Sequence, residues 1–461
     1  MLIWWPASIK VPEMHGAPTG MRLGLRLLLV AAASLWCMSG VAQAQPRVGG
    51  GDTPTLTRLP STPIIGDELP GGPLNGPPGG QANDNAPHAP DLLIAVFRAG
   101  TPDATSAAFA ESLNLTIERN YELSGLRLRV FLLRIPAGGD IDAILPQAAS
   151  DRRPLWVQRD FNFRSLGDSN GAASKQYALT RIHADSLPQA ARGQGVTVAL
   201  IDSGVARDHE SLNQDKVTLI DLVDEKETPP PETHGTAIAS IIAGSGKVKG
   251  LAPAVNLLAI RAFTEVDPKS GASTSDSYHV SEGISLALDR KARIINMSIG
   301  GPNDPLVRMA IEQAVLTGVI VVAAAGNAGP DAPPVYPAAQ RGVIAVTATD
   351  DKDRLFSGAN RGDYIAVAAP GVAVLAAKPG RAAGANAYDY FTGTSMATGY
   401  VTGLAAVLLS ADPKLTSVDI RRIMENSATD LGAPKKDPQF GWGRIDAAAA
   451  LSSTPTVGAA N

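Results

Sequence analysis

Sulfur is nearly missing from this sequence. Its 461 residues include one cysteine, Cys37, which follows Trp36 rather than the small residue that precedes a lipid-modified cysteine. A disulfide framework, a thiol nucleophile and a cysteine-ligated metal are therefore excluded. A chain of this length can bury enough apolar surface without covalent staples. An excess of one charge is missing too. Lys and Arg total 40 against 44 Asp and Glu, a formal net charge of −4, so nothing favours nucleic acid or an anionic membrane as partner. Charged residues are only 18% and aromatic residues 5%, but hydrophobic residues reach 44%. That is the balance of an Ala/Gly/Val-rich globular protein rather than a disordered chain. Strings typical of zinc or EF-hand calcium sites are lacking as well.

What is present begins with a leader. Arg22 and Arg26 form a basic segment, Leu27 to Val41 is apolar but interrupted by small residues, and Ala42-Gln43-Ala44 supplies an A-x-A cleavage site. The apolar stretch is too short to span a bilayer comfortably. Residues 1–44 are therefore expected to be a signal peptide region, with Met21 as an alternative start. Its removal would take away Cys37 and leave a chain without thiol or membrane anchor, secreted or periplasmic. Residues 45–90, rich in Pro, Gly, Asn and Thr, carry no apolar period and read as a linker.

Two folded regions follow. Residues 91–165 show the order strand, helix, strand, strand, helix, strand. Leu92 to Phe97 is a short apolar run, and Thr105 to Leu113 has helical spacing. Leu126, Leu128 and Val130 then alternate with arginines. Asp140 caps a helix through Ile141, Ile144 and Leu145, and Leu155 to Phe163 is a last strand. This order predicts a small α+β ferredoxin-like domain. From 175 to 452 the pattern becomes βα alternation. Buried strands are expected at Val196 to Ile201, Leu257 to Ala262, Ile294 to Met297, Val319 to Ala324 and Val343 to Thr347, with helices between. That is the signature of an α/β, doubly wound, mainly parallel sheet, whose functional loops gather beyond the carboxyl ends of the strands. Val418 to Met424 reads as a helix near the close of the domain, and no further domain or anchor is expected past Ala450.

Three Gly-flanked segments lie in this second region: Ile201-Asp202-Ser203-Gly204, Thr233-His234-Gly235-Thr236 and Gly393-Thr394-Ser395-Met396-Ala397. Each offers one member of a carboxylate–imidazole–hydroxyl relay. A serine hydroxyl needs an imidazole to take its proton, and the imidazole needs a carboxylate to fix its tautomer. The other histidines, at 15, 88, 183, 209 and 279, lack such a context, and Asp208-His209-Glu210 reads as a polar loop. With these motifs in the order Asp, His, Ser, the sequence resembles the subtilisin-like serine peptidases, over roughly residues 175–450.

The resemblance implies an endopeptidase in which Ser395 attacks a peptide carbonyl, His234 shuttles the proton and Asp202 orients His234. It also implies that Asn327, in Ala325-Gly326-Asn327-Ala328-Gly329, donates its amide to the oxyanion together with the Ser395 N–H. Ser298, Ile299 and Gly300 would pair with the substrate backbone, with Ala325 and Gly326 as the opposite wall of a roomy apolar pocket. Residues 91–165 match the position of a propeptide, so the chain's own propeptide is the expected partner in cis. Maturation is expected in the segment Arg164 to Gln176, giving a monomer that acts on protein or peptide substrates. Catalysis needs no cofactor. Asp350-Asp351-Lys352-Asp353 could supply oxygens for a structural calcium, but a solvated turn is the favoured reading. One departure stands out: Gly399-Tyr400 replaces the family's usual Pro-His, which should loosen the helix after Ser395. An esterase or acyl-transferase with the same triad, or a catalytically silent binding protein, are the alternatives; the lack of a G-x-S-x-G elbow at Ser395 argues against an α/β-hydrolase.

Overall fold

The computed structural model describes residues 86–166, 168–169, 176–223, 231–266, 272–379 and 387–454. The signal region and nearly all of the expected linker lie outside these residues, as does part of the expected maturation segment.

The first region follows the expected order: β1 (His88–Arg98), α1 (Asp103–Ser112), β2 (Thr116–Leu123), β3 (Leu128–Arg134), α2 (Ile141–Ser150) and β4 (Trp156–Ser165). Its four strands form an antiparallel sheet in the order β2-β3-β1-β4. One face packs on α1 and α2 through Phe97, Phe109, Phe131 and Leu133. The other presents Ile94, Val96, Val130 and Trp156 to the second region. Two strands exceed their expected bounds. β1 starts at His88, inside the segment read as linker, because His88 pairs with Phe161. β4 continues to Ser165 because its last residues find strand partners far along the chain.

The second region runs β5 (Asp168–Ser169), α3 (Tyr177–Arg181), β6 (Thr197–Asp202), β7 (Val217–Asp221), α4 (Thr233–Ala243) and β8 (Asn256–Arg261). Next come β9 (Glu265–Val266), β10 (Ser273–Asp276), α5 (Ser277–Asp289), β11 (Ile294–Met297), β12 (Ile299–Gly300) and α6 (Pro305–Leu316). It ends with β13 (Ile320–Ala324), β14 (Ile344–Thr349), β15 (Ile365–Pro370), β16 (Val374–Ala377), β17 (Tyr388–Thr392), α7 (Thr394–Ala411), α8 (Ser417–Ser427) and α9 (Ala447–Ser452). A seven-stranded parallel sheet, β15-β14-β13-β11-β6-β8-β7, forms the centre. Its strands are apolar almost throughout, as a sheet covered on both faces requires. α4 and α7 cover one face, and α5 and α6 the other. This is the doubly wound fold read from the sequence. From β6 the chain winds first to β7 and β8, then to β11 and beyond, so β6 and β11 flank the switch point where such sheets place their sites.

α7 is long and apolar enough to cross a membrane, with mean hydropathy 1.3, but 89% of it is buried in the core. Gly399 does not break it. A Cβ there would lie 2.9 Å from Ile241 Cγ2, so the glycine lets α7 lie close against α4. Asp276 and Asp304 cap α5 and α6, accepting the N–H groups of His279 (2.8 Å) and Val307 (2.7 Å).

Candidate active site

Asp202 is the last residue of β6, with none of its surface exposed. Its Oδ1 accepts the Ser203 N–H at 2.7 Å. His234 opens α4 and donates from Nδ1 to Asp202 Oδ1 (2.8 Å) and Oδ2 (3.0 Å). A carboxylate can only accept, so the imidazole proton sits on Nδ1 and the Nε2 lone pair is left free. Nε2 is buried and has no hydrogen-bond partner among the described residues. The approach of α4 to β6 depends on Gly235: a Cβ there would fall 2.0 Å from the Gly204 carbonyl oxygen.

Ser395 stands in the first turn of α7, fully buried. Gly393 before it has φ 154°, a conformation that only glycine adopts readily. The Ser395 hydroxyl donates to the carbonyl oxygen of Leu166 and lies 3.2 Å from that of Ser298. Beneath it runs a buried relay: Thr402 Oγ1 donates to Asn296 (2.8 Å), Asn296 Nδ2 to Ser298 Oγ (3.1 Å), and Ser298 Oγ to the Ser395 carbonyl (3.4 Å).

Asn327 follows β13. Its Oδ1 accepts both the Thr394 N–H (3.1 Å) and the Thr394 hydroxyl (2.8 Å). The backbone N–H can only donate, which fixes the amide's orientation and turns Nδ2 away from Thr394. Thr394 was not singled out from the sequence, although it adjoins Ser395 in the same motif.

The last residues of β4 fill the cleft. Asn162, Phe163 and Arg164 pair antiparallel with β10, while Arg164 and Ser165 pair with β12. The Leu166 N–H donates to the Ser298 carbonyl at 3.2 Å. The strand edge at Ser298, Ile299 and Gly300 thus holds an extended peptide whose final carbonyl lies at Ser395. Phe163 packs where a Gly301 side chain would stand, 2.3 Å from the Cβ position, and Leu166 lies against Gly300 beside Val335. Past the gap at 167, Asp168 and Ser169 pair with Thr392 and Phe391 of β17. Chain on both sides of the Leu166 carbonyl is therefore held by strands flanking Ser395. Nothing in residues 91–166 read locally could have placed Leu166 at the serine.

Elsewhere, His209 is buried rather than in a solvated loop: Nδ1 accepts the Ser211 N–H (3.0 Å) and Nε2 meets the Ala387 carbonyl (2.8 Å). In the 350–353 turn, Asp350 accepts the backbone and guanidinium of Arg354, and Asp353 is gripped by Arg181 and Arg444.

With this geometry in view, the chain can be compared with known proteins. A family model described as the subtilase family matches residues 193–443. Thermitase from Thermoactinomyces vulgaris is 36% identical over 265 residues, covering 56% of this chain and 90% of that protein. Subtilisin E from Bacillus subtilis is 34% identical over 273 residues, 57% of this chain and 68% of its own. Among solved structures, fervidolysin from Fervidobacterium pennivorans, a keratinolytic enzyme related to subtilisin, superposes with a TM-score of 0.67 at 25% identity. The superposition covers 82% of this chain and 63% of the fervidolysin chain.

Proposed function

Given that the chain belongs to the subtilase family and is a subtilisin-like serine endopeptidase, we propose that Asp202, His234 and Ser395 are its triad and that the chain is its own first substrate. The observation that carries this reading is the Leu166 carbonyl at the Ser395 hydroxyl, on a strand continuous with β4.

In this reading Ser395 Oγ forms a bond to the substrate carbonyl carbon while its proton passes to the free Nε2 of His234. Asp202 stabilises the resulting imidazolium. The oxyanion takes hydrogen bonds from the Asn327 amide and the Ser395 N–H. Collapse breaks the C–N bond as His234 protonates the leaving amine, and water, activated by the same imidazole, hydrolyses the acyl-enzyme. All proton transfers run through the chain's own side chains, so the mechanism calls for no cofactor. In the precursor the bond that breaks joins Leu166 to Gly167, at the near end of the maturation segment read from the sequence. The residues before it, Phe163-Arg164-Ser165-Leu166, would then mirror preferred substrates, with an aliphatic side chain over Gly300 before the cut and an aromatic over Gly301. The leader in residues 1–44 supports export, to the periplasm or beyond.

Intact mass of the protein expressed from Gln45 tests this, beside Ser395→Ala. The parent should yield a species beginning at Gly167, and the variant should stay full length. A cut elsewhere would remove Leu166 from the scissile position, and cleavage in both would remove Ser395 from the mechanism.

A further inference from the structure

The Asn327 amide is useful only if the loop carrying it is held still, and one residue outside every motif holds that loop on both sides. Asn360, 2% exposed, donates its backbone N–H to the Gly326 carbonyl (3.1 Å), and its Oδ1 accepts the Ala328 N–H (2.8 Å). Its Nδ2 donates to the Pro333 carbonyl at 3.1 Å. Oδ1 faces a group that can only donate and Nδ2 one that can only accept, so the carboxamide has one orientation. Its fit against the loop is close. Gly326 has φ +113°, and a Cβ there would lie 2.6 Å from Asn360 Cγ and Nδ2. Neighbouring bonds complete the clamp: Tyr364 OH to the Ala325 carbonyl (2.7 Å) and the Gly329 N–H to the Gly358 carbonyl (2.9 Å).

We propose that Asn360 is a positioning residue for catalysis, fixing Asn327 by bonding the peptide groups on either side of it. This rests on the reading of Asn327 as oxyanion donor. Such a donor works through preorganisation, and a misplacement of about 1 Å can cost on the order of 100-fold in rate. The hydrogen bonds of Asn360 go to Gly326, Ala328 and Pro333 and none to the strand ending at Leu166, so its loss should spare most ground-state binding.

The test is a double-mutant cycle of Asn327→Ala and Asn360→Ala in the full-length chain, read after maturation. kcat and KM are measured on a Phe-Arg-Ser-Leu p-nitroanilide, per folded enzyme. Asn327→Ala should lower kcat by roughly 10²- to 10³-fold. Asn360→Ala should lower it by roughly 10- to 100-fold with KM almost unchanged, and should add nothing in the Asn327→Ala background. If Asn327→Ala leaves kcat intact, the oxyanion reading falls and this proposal with it. If Asn327→Ala is impaired but Asn360→Ala is harmless, shifts KM instead, or acts equally in both backgrounds, the positioning role alone is overturned. Should Asn360→Ala fail to fold, Asn360→Asp runs the same cycle. It keeps the acceptor for Ala328 and loses the donor to Pro333, so it should lower kcat less, and only while Asn327 is present. An equal loss in both backgrounds overturns the role.

Discussion

Among the described residues, Asp202 and Asp160 are the two carboxylates with no exposed surface, and they are treated in opposite ways. Asp202, in the catalytic region, spends Oδ1 on the Ser203 N–H and shares both oxygens with His234. Asp160, on β4, accepts the Tyr278 N–H at a long 3.2 Å through Oδ1, while its Oδ2 has no hydrogen-bond partner among the described residues. Burial, and then the charge of Asp276, holds Asp160 well above the usual carboxylate range. The difference teaches what each burial is for. A charge that must stay inside is saturated with donors. On the proposed maturation Asp160 is inside only while β4 lies against α5, and there it is left short of donors, so water would regain it when the two part.

Two further carboxylates at that junction are raised as well. Burial raises Glu282 against the opposing pull of Arg119, and raises Asp304 against its bonds to Ser277, Val307 and Gln158. Burial alone would lower His279, but Asp276 raises it above the ordinary imidazole value, with Arg119 opposing. A carboxylate raised in the associated state binds its proton more tightly there than when free. Its association is therefore strongest in acid and weakens as pH climbs from the ordinary carboxylate range to the raised value. His279 adds nothing to this dependence: the Asp276 that raises it lies beside it in the same region and stays with it, whereas burial and Arg119 of β2, which association brings, lower it.

The contrast can be broken most severely at Asp202. Asp202→Asn should slow appearance of the processed species by about 10⁴-fold in an intact-mass time course, because the imidazole loses its tautomer and its counter-charge. A smaller loss would mean that Asp202 is merely structural. Next comes pH. Native mass spectrometry of the processed chain should find the propeptide bound at pH 5 and depleted at pH 9, its affinity falling on the order of tenfold for each unit of net shift. Affinity that rises with pH would reverse the argument. Asp160→Asn should flatten this dependence and tighten the complex several-fold at pH 8, since its Oδ1 still accepts from Tyr278 and no charge remains to be buried. Smallest is Ser203→Ala. It strips the Gly235 N–H of its acceptor at 3.2 Å, and should lower stability by about 1 kcal/mol, seen as a fall in Tm.

These contrasts also show how far the sequence could be read. Asp202, His234, Asn327 and Ser395 could be proposed from the sequence because each sits beside a glycine at the edge of an apolar run, a purely local signal. Five of the seven parallel strands were legible as continuous apolar runs for the same reason, whereas β15 and β7, whose Thr218 and Leu219 are exposed, were not singled out. β4 was harder. In Trp156-Val157-Gln158-Arg159-Asp160-Phe161 every residue is buried, so period-two alternation could not separate inside from outside. Its polar members face partners such as Asp304, which Gln158 meets at 2.7 Å across 146 residues of chain. Leu166 at Ser395 and Asn360 at Asn327 are likewise products of tertiary approach. Thr394 was in plain view, but only its distance to Asn327 reveals its job.

The strand partners of β4 outlast it. If the chain up to Leu166 leaves as proposed, β10 and β12 would face one another across a slot one strand wide, their N–H and C=O groups wanting a tenant. Neighbouring strands sit about 4.8 Å apart, so only polypeptide drawn out straight fits between them. A helix cannot enter, nor can a strand already paired on both edges. On that reading the enzyme would test the shape of a substrate before its side chains, and a tightly folded protein would be cut only where a loop of it comes undone.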